Sequence, residues 1–110
     1  MKLRFAHQAT QDLNSIADYV RERNPKAALR VRAAIVESLQ TLVLFPHIGR
    51  RQKTEGVRKL VTRRYPYLVY YTIDEASEEI VIIAIQHPPG SAKAQMHSEA
   101  QDGRSPSMKR

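Results

Sequence analysis

The chain has 110 residues, the size of one domain, and dividing it would leave neither part enough core. It contains no cysteine, which excludes disulfides and thiolate metal sites, and no apolar run long enough to span a bilayer. Eighteen Lys and Arg against eleven Asp and Glu give a formal net charge of +7, so the expected partner is a polyanion or an acidic protein.

Met1 to Ala9 lacks an apolar run of signal-peptide length, and the cytoplasm is the expected compartment. Met1 to Phe5 alternates Met1, Leu3 and Phe5 with Lys2 and Arg4, the period of a half-buried strand. From Ala9 to Arg23, the residues Ala9, Leu13, Ile16, Ala17 and Val20 keep helical spacing on one stripe, with Gln11, Asp12, Asn14 and Arg21 outside it. Asn24-Pro25 ends this helix and begins another, because asparagine is a favoured N-cap and proline suits the first helical position. The second helix is predicted to reach Leu44 through Ala28, Val31, Ile35, Leu39 and Leu42, where Phe45-Pro46 stops it. Helices joined this tightly pack as an antiparallel hairpin.

His47 to Gly56 carries two glycines and the basic residues Arg50, Arg51 and Lys53, and reads as a surface loop. Three β-rich runs follow at Val57 to Thr62, Tyr67 to Asp74 and Ile80 to Gln86, and their short links predict antiparallel pairing. The last run has no polar alternation from Ile80 to Ile85, which predicts a central strand covered on both faces. Pro88-Pro89-Gly90 closes the sheet. Ser91 to Arg110 is rich in Ser, Gln, Lys and Arg, with only Met96 and Met108 as large apolar residues, and is expected to be a mobile tail outside the domain formed by residues 1–90. The predicted class is α+β: an N-terminal strand at one sheet edge, a helical hairpin, then a three-stranded antiparallel meander.

These elements carry a family pattern. Asp12-Leu13 with Ile16 and Tyr19, Asn24-Pro25 with Ala27-Ala28, then Leu42, Pro46 and Gly49-Arg50 resemble the RelE/ParE toxins of bacterial type II toxin–antitoxin systems. The second half agrees, through Gly56-Val57-Arg58-Lys59-Leu60, Tyr65-Pro66-Tyr67-Leu68-Val69-Tyr70-Tyr71 and the strand that ends in His87. The resemblance spans about residues 3 to 88. It implies neutralisation by a partly disordered antitoxin, expected to be acidic where it binds and to cover the apolar flank of the hairpin and the basic sheet face. It also implies one of two activities: poisoning of DNA gyrase without chemistry, as in the ParE branch, or metal-free cleavage of ribosome-bound mRNA, as in the RelE branch.

Arg50, Arg51, Lys53, Arg58, Lys59, Arg63 and Arg64 place seven cations within fifteen residues, opposed only by Glu55. Such density suits phosphates or an acidic partner, and equally a solvated surface. Under the nuclease alternative the resemblance gives Arg58 the scissile phosphate and His87 a proton-transfer role. Pro88, Pro89, Gly90 and Ser91 stand where nuclease members commonly supply an arginine or tyrosine, and Lys53 stands alone where several lysines are common. Tyr65, Tyr67, Tyr70 and Tyr71 interleave with basic residues, as base-stacking platforms do, although strand tyrosines more often serve the core. His7, His47 and His97 have no metal-ligand spacing, and no phosphate loop, nucleophile elbow or dinucleotide fingerprint occurs, so neither metal nor cofactor is expected. The expected function is therefore a ParE-like gyrase inhibitor, with a RelE-like mRNA endonuclease as the alternative and a non-toxic partner in a repressor complex as the third.

Overall fold

A computed structural model of the chain describes residues 1–88. In chain order they form β1 (Lys2–Phe5), α1 (His7–Arg23), α2 (Pro25–Leu44), β2 (Arg50–Arg51), β3 (Val57–Val61), β4 (Leu68–Asp74) and β5 (Glu79–Gln86). The tail expected from Ser91 onward lies outside the described residues.

Asn24 alone separates the two helices. Its N–H donates to Val20 O at 2.7 Å, ending α1, and its Oδ1 accepts from the Ala27 N–H at 3.1 Å, capping α2 above Pro25. Ala9 and Ile16 of α1, with Val31, Ile35, Leu39 and Leu42 of α2, are buried against Val69 and Tyr71 of β4 and Ile80, Ile82 and Ile85 of β5. The hairpin thus covers one face of the sheet.

The sheet runs in the order β1-β5-β4-β3-β2. The meander of β3, β4 and β5 is antiparallel, and β1 joins at the β5 edge, as expected; β1 pairs in parallel with β5. The segment read as a loop from His47 to Gly56 contributes a fifth strand of two residues, with Arg50 opposite Lys59 and Arg51 opposite Arg58. Its two charged residues carry no apolar alternation, so periodicity could not reveal it. Gly56 turns the chain back toward β3 at φ 83°, a conformation that favours glycine.

β5 is an interior strand, but among the described residues only one of its faces is covered by another layer. Ile80, Ile82 and Ile85 are buried, whereas Val81 and Ile83 are half-buried on the face away from the helices. Among the described residues that face is shielded by cross-strand neighbours, such as Thr72 and Arg4 on either side of Val81. A run without polar residues therefore reflects β-branched preference as well as burial.

A bulge displaces the pattern. Tyr71 pairs with Ile82 but Tyr70 with Ala84, which leaves Ile83 as the extra residue and moves the next buried position to Ile85. β1 has already ended here, the Ala6 N–H to Ile82 O bond at 2.9 Å being its last link to β5. Asp12 of α1 takes over: its Oδ2 accepts from the Ile85 N–H at 2.9 Å while its Oδ1 accepts from Gln8 Nε2 at 2.8 Å. A side chain thereby continues the ladder beyond the end of β1.

Asp12→Ala is expected to destabilise the full chain by about 1–3 kcal/mol in chemical denaturation, the range for a buried donor left unpaired, and Asp12→Asn by less because its amide oxygen still accepts. An unchanged midpoint for Asp12→Ala would show that Ile85 does not depend on this carboxylate.

Candidate functional site

The helix-bearing face has two polar ends, and each holds one of the residues that the resemblance connects with chemistry. At the first, the chain leaves α2 through Phe45-Pro46 and turns onto β2. The buried Tyr71 fastens this turn: its hydroxyl donates to Pro46 O at 2.7 Å and accepts from the Gly49 N–H at 2.9 Å. Gly49 has to be small, since a Cβ there would lie 2.6 Å from the Tyr71 hydroxyl. Arg58, opposite Tyr71 on β3, directs Nη1 at the same turn and donates to Gly49 O at 2.8 Å and His47 O at 3.1 Å. One arginine and one tyrosine thus satisfy four backbone groups of a segment with no regular structure. Burial pushes the Tyr71 hydroxyl above its ordinary pKa of 10.0, against the opposing effects of the Gly49 hydrogen bond and the Arg58 charge.

Beside the turn lies an open cleft of about 480 Å³ whose lining includes His47, Arg51, Arg58, Glu55 and Glu75. Cations and carboxylates share it, and His47 Nε2 approaches Glu75 Oε2 at 3.9 Å. Among the described residues no group of three His, Cys, Asp or Glu side chains is placed to hold a metal ion.

His87 lies at the other end, just beyond β5. Its ring meets Tyr19 of α1 edge-on at 5.1 Å between centroids and Tyr67 at 5.8 Å. The guanidinium of Arg23 covers Tyr19 at 3.7 Å from the ring centroid. Burial, and secondarily Tyr19, raises the Tyr67 hydroxyl above its ordinary pKa. His87 therefore packs against two tyrosine rings, and the structure does not bring it to Arg58. Arg58 pairs with Tyr71 and Tyr71 with Ile82, two strands across and five residues back along β5 from His87, a separation of about 15–20 Å at ordinary strand spacing.

The basic residues grouped in sequence separate in space. Arg51 and Arg58 face the helix side, whereas Arg50 and Lys59 are paired on the opposite face. Lys53 lies in the turn between β2 and β3, and Arg63 and Arg64 in the turn between β3 and β4, where Arg64 adopts a left-handed φ of 69°. The tyrosines sort likewise. Tyr67 and Tyr71 are buried, Tyr65 packs against the core and takes a 3.4 Å hydrogen bond from Arg30 Nε, and Tyr70 faces away from the helices beside Lys59. Periodicity placed Asp12 off the apolar stripe and assigned it no role, and Tyr71 was one of four interchangeable tyrosines; Pro46 and Gly49 were the only sequence signs of a built turn at that end.

The family described as ParE toxin of type II toxin–antitoxin system, parDE, matches residues 3–88. The Sinorhizobium fredii protein Y4kP is 30% identical over 86 residues, covering 78% of this chain and 86% of that protein. Among solved structures, the chromosomal ParDE toxin–antitoxin system from P. aeruginosa superimposes with a TM-score of 0.69 at 30% identity, over 79% of this chain and 95% of the other. The toxin–antitoxin complex RelBE2 from Mycobacterium tuberculosis gives 0.58 at 27% identity, over 79% and 96% of the two chains. The isolated E. coli RelE toxin shares the fold, with a TM-score of 0.63 at 16% identity over 93% and 96%.

Two outcomes test the turn. Because burial raises the folded pKa of Tyr71, its contribution to stability is complete below pH 10 and is lost as pH rises above it, so the alkaline fall in denaturation midpoint should be smaller in Tyr71→Phe. Arg58→Lys keeps the charge but not the planar fork, and is expected to lower stability by about 1 kcal/mol; an unchanged midpoint would leave Arg58 without a structural role.

Proposed function

Since the chain belongs to the ParE toxin family of type II toxin–antitoxin systems, we propose that it acts by inhibiting DNA gyrase and performs no chemistry of its own. The observation that carries this proposal is the separation of Arg58 from His87. Cleavage of RNA by its own 2′-hydroxyl needs charge neutralisation and proton transfer at one phosphate. Here the arginine is engaged by two backbone carbonyls and the histidine stands among tyrosine rings at the far end of the same face. Gyrase inhibition asks for a binding surface only. The end of α2 supplies one, since Leu44 is 73% exposed and Phe45 and Ile48, next along the chain, 60% and 51%, while Leu29, 75% exposed, lies near the other end of that helix.

A cognate antitoxin neutralises the toxin by covering this apolar flank. Lys26, Arg30 and Arg32 against Glu37 leave α2 net positive, which suits an acidic segment that orders as it binds. A ribonuclease reading draws on one feature, the cleft where Arg51, Arg58 and His47 meet.

Induced expression of the chain alone in a bacterium separates the possibilities. DNA breaks and the SOS response, with protein synthesis initially intact and toxicity kept in His87→Gln, are the expected result. Rapid translational arrest with mRNA cut at ribosomal A sites, abolished by His87→Gln, would replace gyrase inhibition with endonuclease action. Harmless expression would leave a partner in a repressor complex.

A further inference from the structure

Five of the ten described arginines are engaged in the fold. Arg4 Nε pairs with Glu79 at 3.0 Å, Arg21 with Asp18 at 2.9 Å, Arg23 covers Tyr19, Arg30 reaches Tyr65 and Arg58 holds the turn after α2. The other five are not, and of these Arg50 shares a sheet face with Lys59 and Tyr70. None of these three side chains takes part in a hydrogen bond, ion pair or ring contact among the described residues. Their register is continuous: Arg50 lies opposite Lys59, Lys59 opposite Tyr70, and Tyr70 opposite Ala84. Directly opposed residues share a face, so β2, β3 and β4 present one row of two cations and an aromatic ring on the face that the helices leave open. The row is about 10 Å from Arg50 to Tyr70 at ordinary strand spacing. Ala84 continues it with a methyl group, too small to cover the ring.

We infer that this row, Arg50–Lys59–Tyr70, is a platform for single-stranded nucleic acid, with an unpaired base stacked on Tyr70 and its flanking phosphates on Lys59 and Arg50. A flat sheet with an accessible ring and adjacent cations holds bases through their faces and the backbone through its charge. A duplex keeps its base faces stacked and cannot use the ring, which is why the occupant is single-stranded. Nothing in the row is placed to read the sugar, so deoxyribose and ribose strands should serve alike. The platform is on the opposite face from both Arg58 and His87, so it requires no cleavage and stands whether or not gyrase is the target. The neighbouring Val57, Leu68 and Val81, half-buried on the same face, give a base an apolar border.

The test is fluorescence anisotropy of labelled oligothymidylate and oligouridylate with the full chain, titrated with salt and compared with variants whose thermal unfolding matches the parent. Tyr70→Leu keeps the apolar body and the net charge, and is expected to weaken binding at least about fivefold, the loss of one stacked base. Arg50→Gln with Lys59→Gln should lower the slope of log affinity against log salt by about 1.4, two phosphates on a single strand. Arg63→Gln with Arg64→Gln removes the same charge from the β3–β4 turn and should leave that slope nearly unchanged. The proposal is overturned if Tyr70→Leu binds like the parent, or if the two double variants lose slope equally, since binding would then be diffuse attraction to a basic protein. It is also overturned if polyglutamate displaces the oligonucleotides as well as unlabelled oligothymidylate does, because the row would then be a seat for an acidic polypeptide. Affinities for the two oligonucleotides within about threefold uphold it, as contacts to base and phosphate alone predict.

Discussion

The hydroxyl of Tyr71 determines how the helical layer meets the sheet. It donates to one side of the turn after α2 and accepts from the other, at Pro46 O and the Gly49 N–H. Without it the chain leaving α2 would have a buried N–H with no partner, and Arg58 alone would tie the turn to the sheet. Once the turn is fixed, Arg50 and Arg51 fall beside Lys59 and Arg58 as a fifth strand. The same turn gives Arg58 its carbonyl partners, so the arginine that the resemblance reserves for phosphate is held by the fold. Arg58 retains further N–H donors, and a guanidinium can serve both a carbonyl and an anion, but its orientation is set from within.

The second organising constraint is the alternation of the sheet and its one interruption. The bulge at Ile83 lets Ile80, Ile82 and Ile85 all reach the helices although their spacing is uneven. It falls just past the last pair with β1, where the carboxylate of Asp12 accepts from the Ile85 N–H. Alternation then sends Tyr71 and Tyr70, adjacent in sequence, to opposite faces with opposite functions. Tyr71 becomes a buried double hydrogen-bonding partner, whereas Tyr70 is the half-buried ring beside the free cations.

Much of this fold was legible in the residues. The Asn24-Pro25 junction acts as read, because cap and N1 chemistry are local and owe little to tertiary context. The three strands of the meander begin and end within about a residue of their predicted bounds. The features that escaped are non-local. The run from Ile80 to Ile85 suggested two covered faces, because β-branched residues satisfy strand geometry and burial alike and periodicity cannot separate the two. The partners of Asp12, Gly49 and Arg58 lie 73, 22 and 9 or 11 positions away, and no spacing rule connects them. The candidate site shared this limit: seven neighbouring cations read as one footprint, and only the register of β2 against β3 divides them between two faces and two turns.

That division bears on what kind of toxin this is. A nuclease and a pure binding toxin need the same charge but in different arrangements. Catalysis requires several groups aimed at one phosphate with little freedom, usually in a site that excludes water. Binding tolerates cations spread along a surface, each contributing modestly and each sensitive to salt. Here the cations that are oriented are oriented toward the protein's own backbone, rings and carboxylates, and the others are spread over α2, the cleft, the open sheet and the exposed turns. His47 stands in a cleft where Glu55 and Glu75 oppose the charge of Arg51 and Arg58, and His87 packs against Tyr19 and Tyr67. Charge of this distribution is suited to holding a macromolecule by its surface, which is the arrangement that the proposed gyrase inhibition asks for, with Arg58 securing a turn.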